Sequence, residues 1–108
     1  MAAKAKTRKS PRAACGLPAV VEGPRGPLRG VCRSISQAGM FFTGAQLPVG
    51  QSIEVAVELP GARGGLRAMG VASYHHTYAD GPGMGIKFTR LSQGDLALIG
   101  RFVEAHGG

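Results

Sequence analysis

"QSIEVAVELP", residues 51–60, sets Ile53, Val55, Val57 and Leu59 on one side of an extended chain and Glu54 and Glu58 on the other. A period of two with β-branched residues describes a strand with one face on a core and one in water. Pro60 and the following "GARGG" end it, because proline brings no amide to a ladder and the glycines are turn material. "GAQLPVG" is a loop in front of it. A short amphipathic strand between tight connections belongs to an antiparallel sheet, since a parallel neighbour needs a long crossover.

The same pattern extends in both directions. "GLPAVVEG", 16–23, alternates Leu17, Ala19 and Val21; "GPRGP" turns the chain; and "LRGVCRSI", 28–35, returns with Arg29 and Arg33 on one side. These two segments predict a hairpin. "SQAG" is a turn and "MFFT", 40–43, a short buried strand. Downstream, "LRAMGVASYHH", 66–76, reads as a long strand with small residues at Ala68, Gly70 and Ala72. "YADGPG" turns it, and "MGIKF" alternates Met84, Ile86 and Phe88. The period then changes. Leu96, Ile99 and Val103 recur at helical spacing, with Leu98 and Phe102 widening the stripe. Ser92 followed by Asp95 resembles a capping box, which predicts a helix over 92–106 with Gly107 as a stop. Five or six strands and one helix predict an all-β domain with one helix, a barrel or sandwich that the C-terminal helix plugs or flanks.

The chain has 108 residues, enough for one modest core. No apolar run of about 18 residues is present, so no transmembrane helix is expected. The basic N-terminus has no apolar segment behind it and does not read as a secretory signal, and Pro11 argues against a helical transit peptide. Cys15 and Cys32 lack metal-ligand spacing. The expectation is a cytoplasmic chain with two reduced, partly buried thiols.

The net charge of +7 is unevenly distributed. Lys4, Lys6, Arg8, Lys9 and Arg12 give residues 1–12 five positive charges and no acid, while the remainder carries eight basic and six acidic residues. Residues 1–12 therefore read as a flexible basic arm in front of a domain over 13–106. Such an arm suits an anionic partner or serves as a solubilising tail.

Three motifs in order resemble the PilZ family of bacterial cyclic di-GMP receptors. Arg8-Lys9-Ser10-Pro11-Arg12 supplies an Arg-x-x-x-Arg pair. Ser34-Ile35-Ser36-Gln37-Ala38-Gly39 follows at the end of the second predicted strand. Gly83-Met84-Gly85-Ile86-Lys87-Phe88 supplies a late strand ahead of the helix. "RGPLR", Arg25 to Arg29, has the first spacing too, but it lies in the hairpin turn and too close to the second motif. The resemblance covers about residues 8–104. It implies a six-stranded antiparallel split barrel with a C-terminal helix, and a non-enzymatic receptor that passes its signal to a downstream protein in motility, pilus or surface-polysaccharide control. It implies cyclic di-GMP as ligand rather than any cofactor, with Arg8, Arg12, Ser34, Ser36 and Gly39 at the site and Lys9, Arg33 and His76 near it. Where the family usually has Asp or Asn, this chain has Ser34, a shorter and neutral group.

The residue chemistry suits that ligand. A cyclic dinucleotide offers two phosphates and two planar purines, and a guanidinium forks onto the first and stacks on the second. Two arginines on an arm can close over a ligand on a sheet, Ser36 can hydrogen-bond it, and Gly39 lets backbone come close. Other chemistries are poorly supplied. His75 and His76 face opposite ways on a strand, which does not suit one metal ion. The carboxylates are scattered, Ser36 has no local base, and neither Gly-rich stretch opens a helix. A degenerate adaptor of the same fold, without nucleotide, is the alternative. A nucleic-acid-binding barrel is disfavoured because few aromatic residues are free to stack on bases.

Overall fold

The computed structural model describes residues 12–106. Six strands and a helix follow in chain order: β1 Arg12–Gly23, β2 Gly26–Ser36, β3 Gly39–Thr43, β4 Ser52–Val57, β5 Leu66–Tyr78, β6 Gly81–Arg90 and α1 Gln93–His106. The strands close into a barrel in the order β1-β2-β3-β6-β5-β4, with β4 returning to β1, and all neighbours are antiparallel. Closure removes the exposed edges that a six-stranded open sheet would present.

The deciding strand behaves as its pattern demands. Ile53, Val55 and Val57 of β4 are buried, and Leu59 continues the apolar side past the strand end. They meet Val21, Ile35, Met40, Phe42, Leu66, Met84 and Ile86 in a single core. Each such side chain contributes roughly 1.5–3 kcal/mol by leaving water.

Element boundaries differ from the sequence reading in physically instructive ways. The first strand starts at Arg12, not in the sixteenth position, so Arg12 belongs to the barrel and not to the arm. Ala13 is fully buried opposite Ile35 and continues the ladder, but an alanine among basic residues carries too little apolar signal to show this. The turn read over 78–83 shrinks to Ala79–Asp80. β5 runs on to Tyr78, and Gly81, at φ +135°, starts β6 in a conformation other residues rarely adopt. Residues 1–11, which include Arg8 and Lys9, lie outside the described residues.

The helix begins where its cap predicts. The Asp95 amide donates to Ser92 Oγ at 3.0 Å, and the Leu96 amide donates to the Ser92 carbonyl at 2.9 Å. Ile99 is fully buried and Val103 nearly so. A helix of 14 residues is marginal alone, so this packing against the barrel holds it.

Candidate ligand-binding site

Three irregularities in the ladders shape one wall of the barrel. The β1–β2 register shifts between Ala14 and Leu17, the β2–β3 register between Cys32 and Ser34, and the β5–β6 register between Ala72 and Tyr74. A bulge sets two residues against one and re-aims side chains. Cys32 points into the core, yet both Arg33 and Ser34, which follow it, reach the surface. Strict alternation would have sent one of them inward.

Ser34 is brought to the arginine motif. Arg12 Nη1 donates to Ser34 Oγ at 3.0 Å across the β1–β2 ladder. The second member of the Arg-x-x-x-Arg pair thus touches the first polar position of the Ser34–Gly39 motif. The fork of Arg12 retains further N–H donors.

Ser36 has a different job from the one its motif position suggested. It is 1% exposed, and its Oγ accepts from the amides of Ala38 at 3.1 Å and Gly39 at 3.3 Å. The hydroxyl satisfies backbone donors in the turn between β2 and β3. Gly39 is likewise needed for packing. A Cβ there would stand 2.2 Å from the Ile86 carbonyl oxygen, so the glycine admits β6 against β3. The close approach it permits is that of the protein's own backbone. Gln37, between them, donates from Nε2 to the Leu96 carbonyl at 2.9 Å and ties this turn to the helix.

Arg33 is held from two sides. It forms an ion pair with Asp80, and its guanidinium carbon lies 4.9 Å from the centre of the Tyr78 ring. The two paired side chains are 38% and 55% exposed, a setting in which a pair contributes only about 0–1 kcal/mol. Its consequence is orientation of Arg33 more than stability of the fold. Arg33 Nε is buried without a hydrogen-bond partner.

An aromatic cluster completes the wall, and sequence reasoning missed it. Tyr74, His76 and Tyr78 alternate along β5 and share its outer face. Phe41 on β3 packs among them, with centroids 6.0 Å from Tyr74, 5.8 Å from His76 and 4.8 Å from Tyr78. His76 and Tyr78 meet edge to face at 4.6 Å. β6 lies between and contributes glycine at the crossing points. A Cβ on Gly85 would stand 2.1 Å from the Tyr74 ring, and one on Gly83 2.8 Å from the Phe41 ring. The sequence did carry a signal: rings spaced by two in "YHHTY" opposite a G-x-G strand. His76 therefore lies on this wall, while His75, turned away, has its Nε2 2.6 Å from the Leu47 carbonyl.

The cross-strand register joins these groups into one row: Ala14, Ser34, Phe41, Gly85 and Tyr74 are successive neighbours across β1, β2, β3, β6 and β5. Three strand spacings separate Ser34 from Tyr74, roughly 14 Å. Among the described residues no group of three His, Cys, Asp or Glu side chains could hold a metal ion, and no helix is long and apolar enough to cross a membrane.

Fold and wall together define a small closed β-barrel domain with a C-terminal helix and its arginine, serine and aromatic groups gathered on one outer face. The chain belongs to the PilZ domain family, which it matches over residues 6–105. No curated protein matches the sequence. Solved structures share the fold at low identity. The Bacillus subtilis inhibitor of motility, MotI/DgrA, superposes with a TM-score of 0.81 at 15% identity, over 93% of this chain and 50% of that one. Escherichia coli YcgR in complex with c-di-GMP gives 0.77 at 17% identity, over 93% and 46%. The PilZ domain of YcgR with c-di-GMP gives 0.72 at 13% identity, over 94% and 92%. The chain thus spans about half the length of the first two proteins.

Proposed function

We propose that this chain is a receptor for cyclic di-GMP that binds the nucleotide on the Arg12–Ser34 face and reports it through altered contacts with another protein. The contact between Arg12 and Ser34 carries this reading, because it joins the two halves of the family's nucleotide motif. The structures of YcgR and of its PilZ domain with c-di-GMP, which share this fold, support it.

In this proposal Arg8 and Arg12 clamp the phosphates through charge-assisted, forked hydrogen bonds, with Lys9 adding positive potential. Arg33 supplies a second guanidinium near Ser34. Ser36 and Gly39 contribute by holding the turn that fixes Ser34. The wall of Tyr74, His76 and Tyr78 offers a face for a guanine ring, and one side of it is open, since Tyr74 is 50% exposed. No step of bond making is required, so the role is binding and not catalysis. By analogy with a structural neighbour named as an inhibitor of motility, the output belongs to motility or another surface behaviour such as pili or polysaccharide, and acts in the cytoplasm. Isothermal titration of the full chain against cyclic di-GMP tests the reading: saturable binding that Arg12→Ala weakens supports it, and no binding to either protein refutes it.

A second reading, an adaptor without nucleotide, is favoured by one observation. Ser34 is shorter than the Asp or Asn usual in the family and offers one hydroxyl oxygen in place of a carboxylate or carboxamide, and that oxygen already accepts from Arg12. Absence of response to every cyclic dinucleotide, with a partner still captured by the folded chain, would select it.

A further inference from the structure

Cys15 and Cys32 are the chain's two cysteines, and both are free thiols. They sit on adjacent strands but not opposite one another, since the register pairs Cys32 with Leu17. Cys15 occupies the β1 bulge between Ala14 and Leu17, and Cys32 directly precedes the β2 bulge. The displaced backbone brings the two side chains together, with the Sγ atoms 3.8 Å apart. Cys15 Sγ also donates to the Cys32 carbonyl at 3.2 Å, and Cys32 Sγ to the Ser34 carbonyl at 3.4 Å. The pair is asymmetric in access: Cys32 is fully buried, whereas Cys15 is half-buried.

We infer that Cys15 and Cys32 are a hydroperoxide-oxidised dithiol, with Cys15 as the reacting sulfur and Cys32 as the resolving one. Contact, access and the absence of any third ligand-forming group beside them among the described residues point to this chemistry and away from a metal site. The electrostatics agree for Cys15 as the sulfur that reacts first. The hydrogen bond from Cys32 holds the Cys15 thiol below its ordinary value despite burial, and Cys32 is pushed up by the same contact and by burial. A depressed thiolate is the species that attacks peroxide.

The steps balance. Cys15 thiolate attacks one peroxide oxygen; the O–O bond breaks, a sulfenic acid forms, and hydroxide leaves to take up a proton. Cys32 then passes its proton to the sulfenic oxygen as its sulfur attacks the Cys15 sulfur; the S–O bond breaks, the disulfide forms, and the oxygen leaves as water. One hydroperoxide is reduced and two thiols are oxidised. The bond would tie the two bulges together beside Arg12 and Ser34. The proposal concerns the thiols alone and does not depend on nucleotide binding.

The test exposes the reduced full chain to hydrogen peroxide, alkylates what remains and measures intact mass under non-reducing conditions. The expected product is a monomer that has lost two hydrogens, takes up no alkyl group and reverts with dithiothreitol. Cys32→Ser is expected to stop at a sulfenic acid that dimedone traps on Cys15, and Cys15→Ser to lose most of the peroxide consumption. Wild-type protein that yields only sulfinic acid, intermolecular dimers or unchanged thiols overturns the inference without recourse to any variant. Undiminished peroxide consumption by a folded Cys15→Ser protein overturns the assignment of roles.

Discussion

Arg12 and Ser34 stand 22 positions apart in sequence and meet across the first ladder of the barrel, Nη1 to Oγ at 3.0 Å. The contact is exposed, so it adds little to folding. Its value is positional, since it aims a guanidinium along the face that the aromatic wall continues. Ser34→Asp would replace a neutral acceptor with a charged one. The expected result is tighter binding of cyclic di-GMP with a stability change within about 1 kcal/mol. Calorimetry and thermal melts of this variant measure both; weaker binding would contradict the placement of Ser34.

Ser36→Ala and Gly39→Ala are expected to act on the fold first. The alanine at 36 strips two amides of their acceptor, which costs on the order of 1–3 kcal/mol. The methyl at 39 collides with the Ile86 carbonyl, a backbone atom that cannot swing aside, and overpacking of this kind costs typically 1–3 kcal/mol or more. The three atoms nearest a methyl at Gly85 all belong to the half-exposed Tyr74 ring, a side chain that can swing aside, so Gly85→Ala should cost less. Chemical denaturation of the three variants checks the order; a Gly85 variant less stable than the Gly39 variant would refute it.

These two positions also show what a sequence can and cannot disclose. The alternation of Ile53, Val55 and Val57 and the Ser92 cap were legible because period and capping are local. The barrel's bulges were not, because an inserted residue leaves no mark on composition. Consequently strand periodicity alone would set Arg33 and Ser34 on opposite faces, and only the family resemblance put them near one another; nothing in the sequence showed Cys15 and Cys32 touching. The motif picks out Ser36 and Gly39 in the chain, but what they touch depends on what lies across the turn, and only the register of β3 with β6 reveals it. The aromatic wall was legible in part: "YHHTY" holds its rings at the strand period, while Phe41 joins them only through β6. Arg8 and Lys9 lie outside the described residues and rest on the motif alone.

Asp80→Asn is expected to free Arg33 and raise local positive potential. Because the pair is largely exposed, stability should move by no more than about 1 kcal/mol. Affinity for cyclic di-GMP should rise, most clearly at low salt, where screening is weak. Unchanged affinity across salt concentrations would remove Arg33 from the site.

The thiols give a pH dependence with a definite sign. Cys15 is held below its ordinary value, chiefly by the hydrogen bond from Cys32, so at a pH below 9.0 more of it is thiolate than in a free cysteine. Iodoacetamide should therefore label Cys15 with a midpoint below that of the same cysteine in the denatured chain, while Cys32, pushed upward, stays unmodified over that range. Peptide mapping after labelling at a series of pH values checks this. Equal labelling of both thiols would contradict it.

Direct titration of the full chain with cyclic di-GMP bears most closely on the receptor proposal. The expected result is a saturable, stoichiometric heat, with Arg8→Ala and Arg12→Ala each reducing affinity by on the order of 1.5–3 kcal/mol. A folded wild-type chain that gives no signal at millimolar nucleotide, or arginine variants that bind as tightly as the wild type, would contradict it.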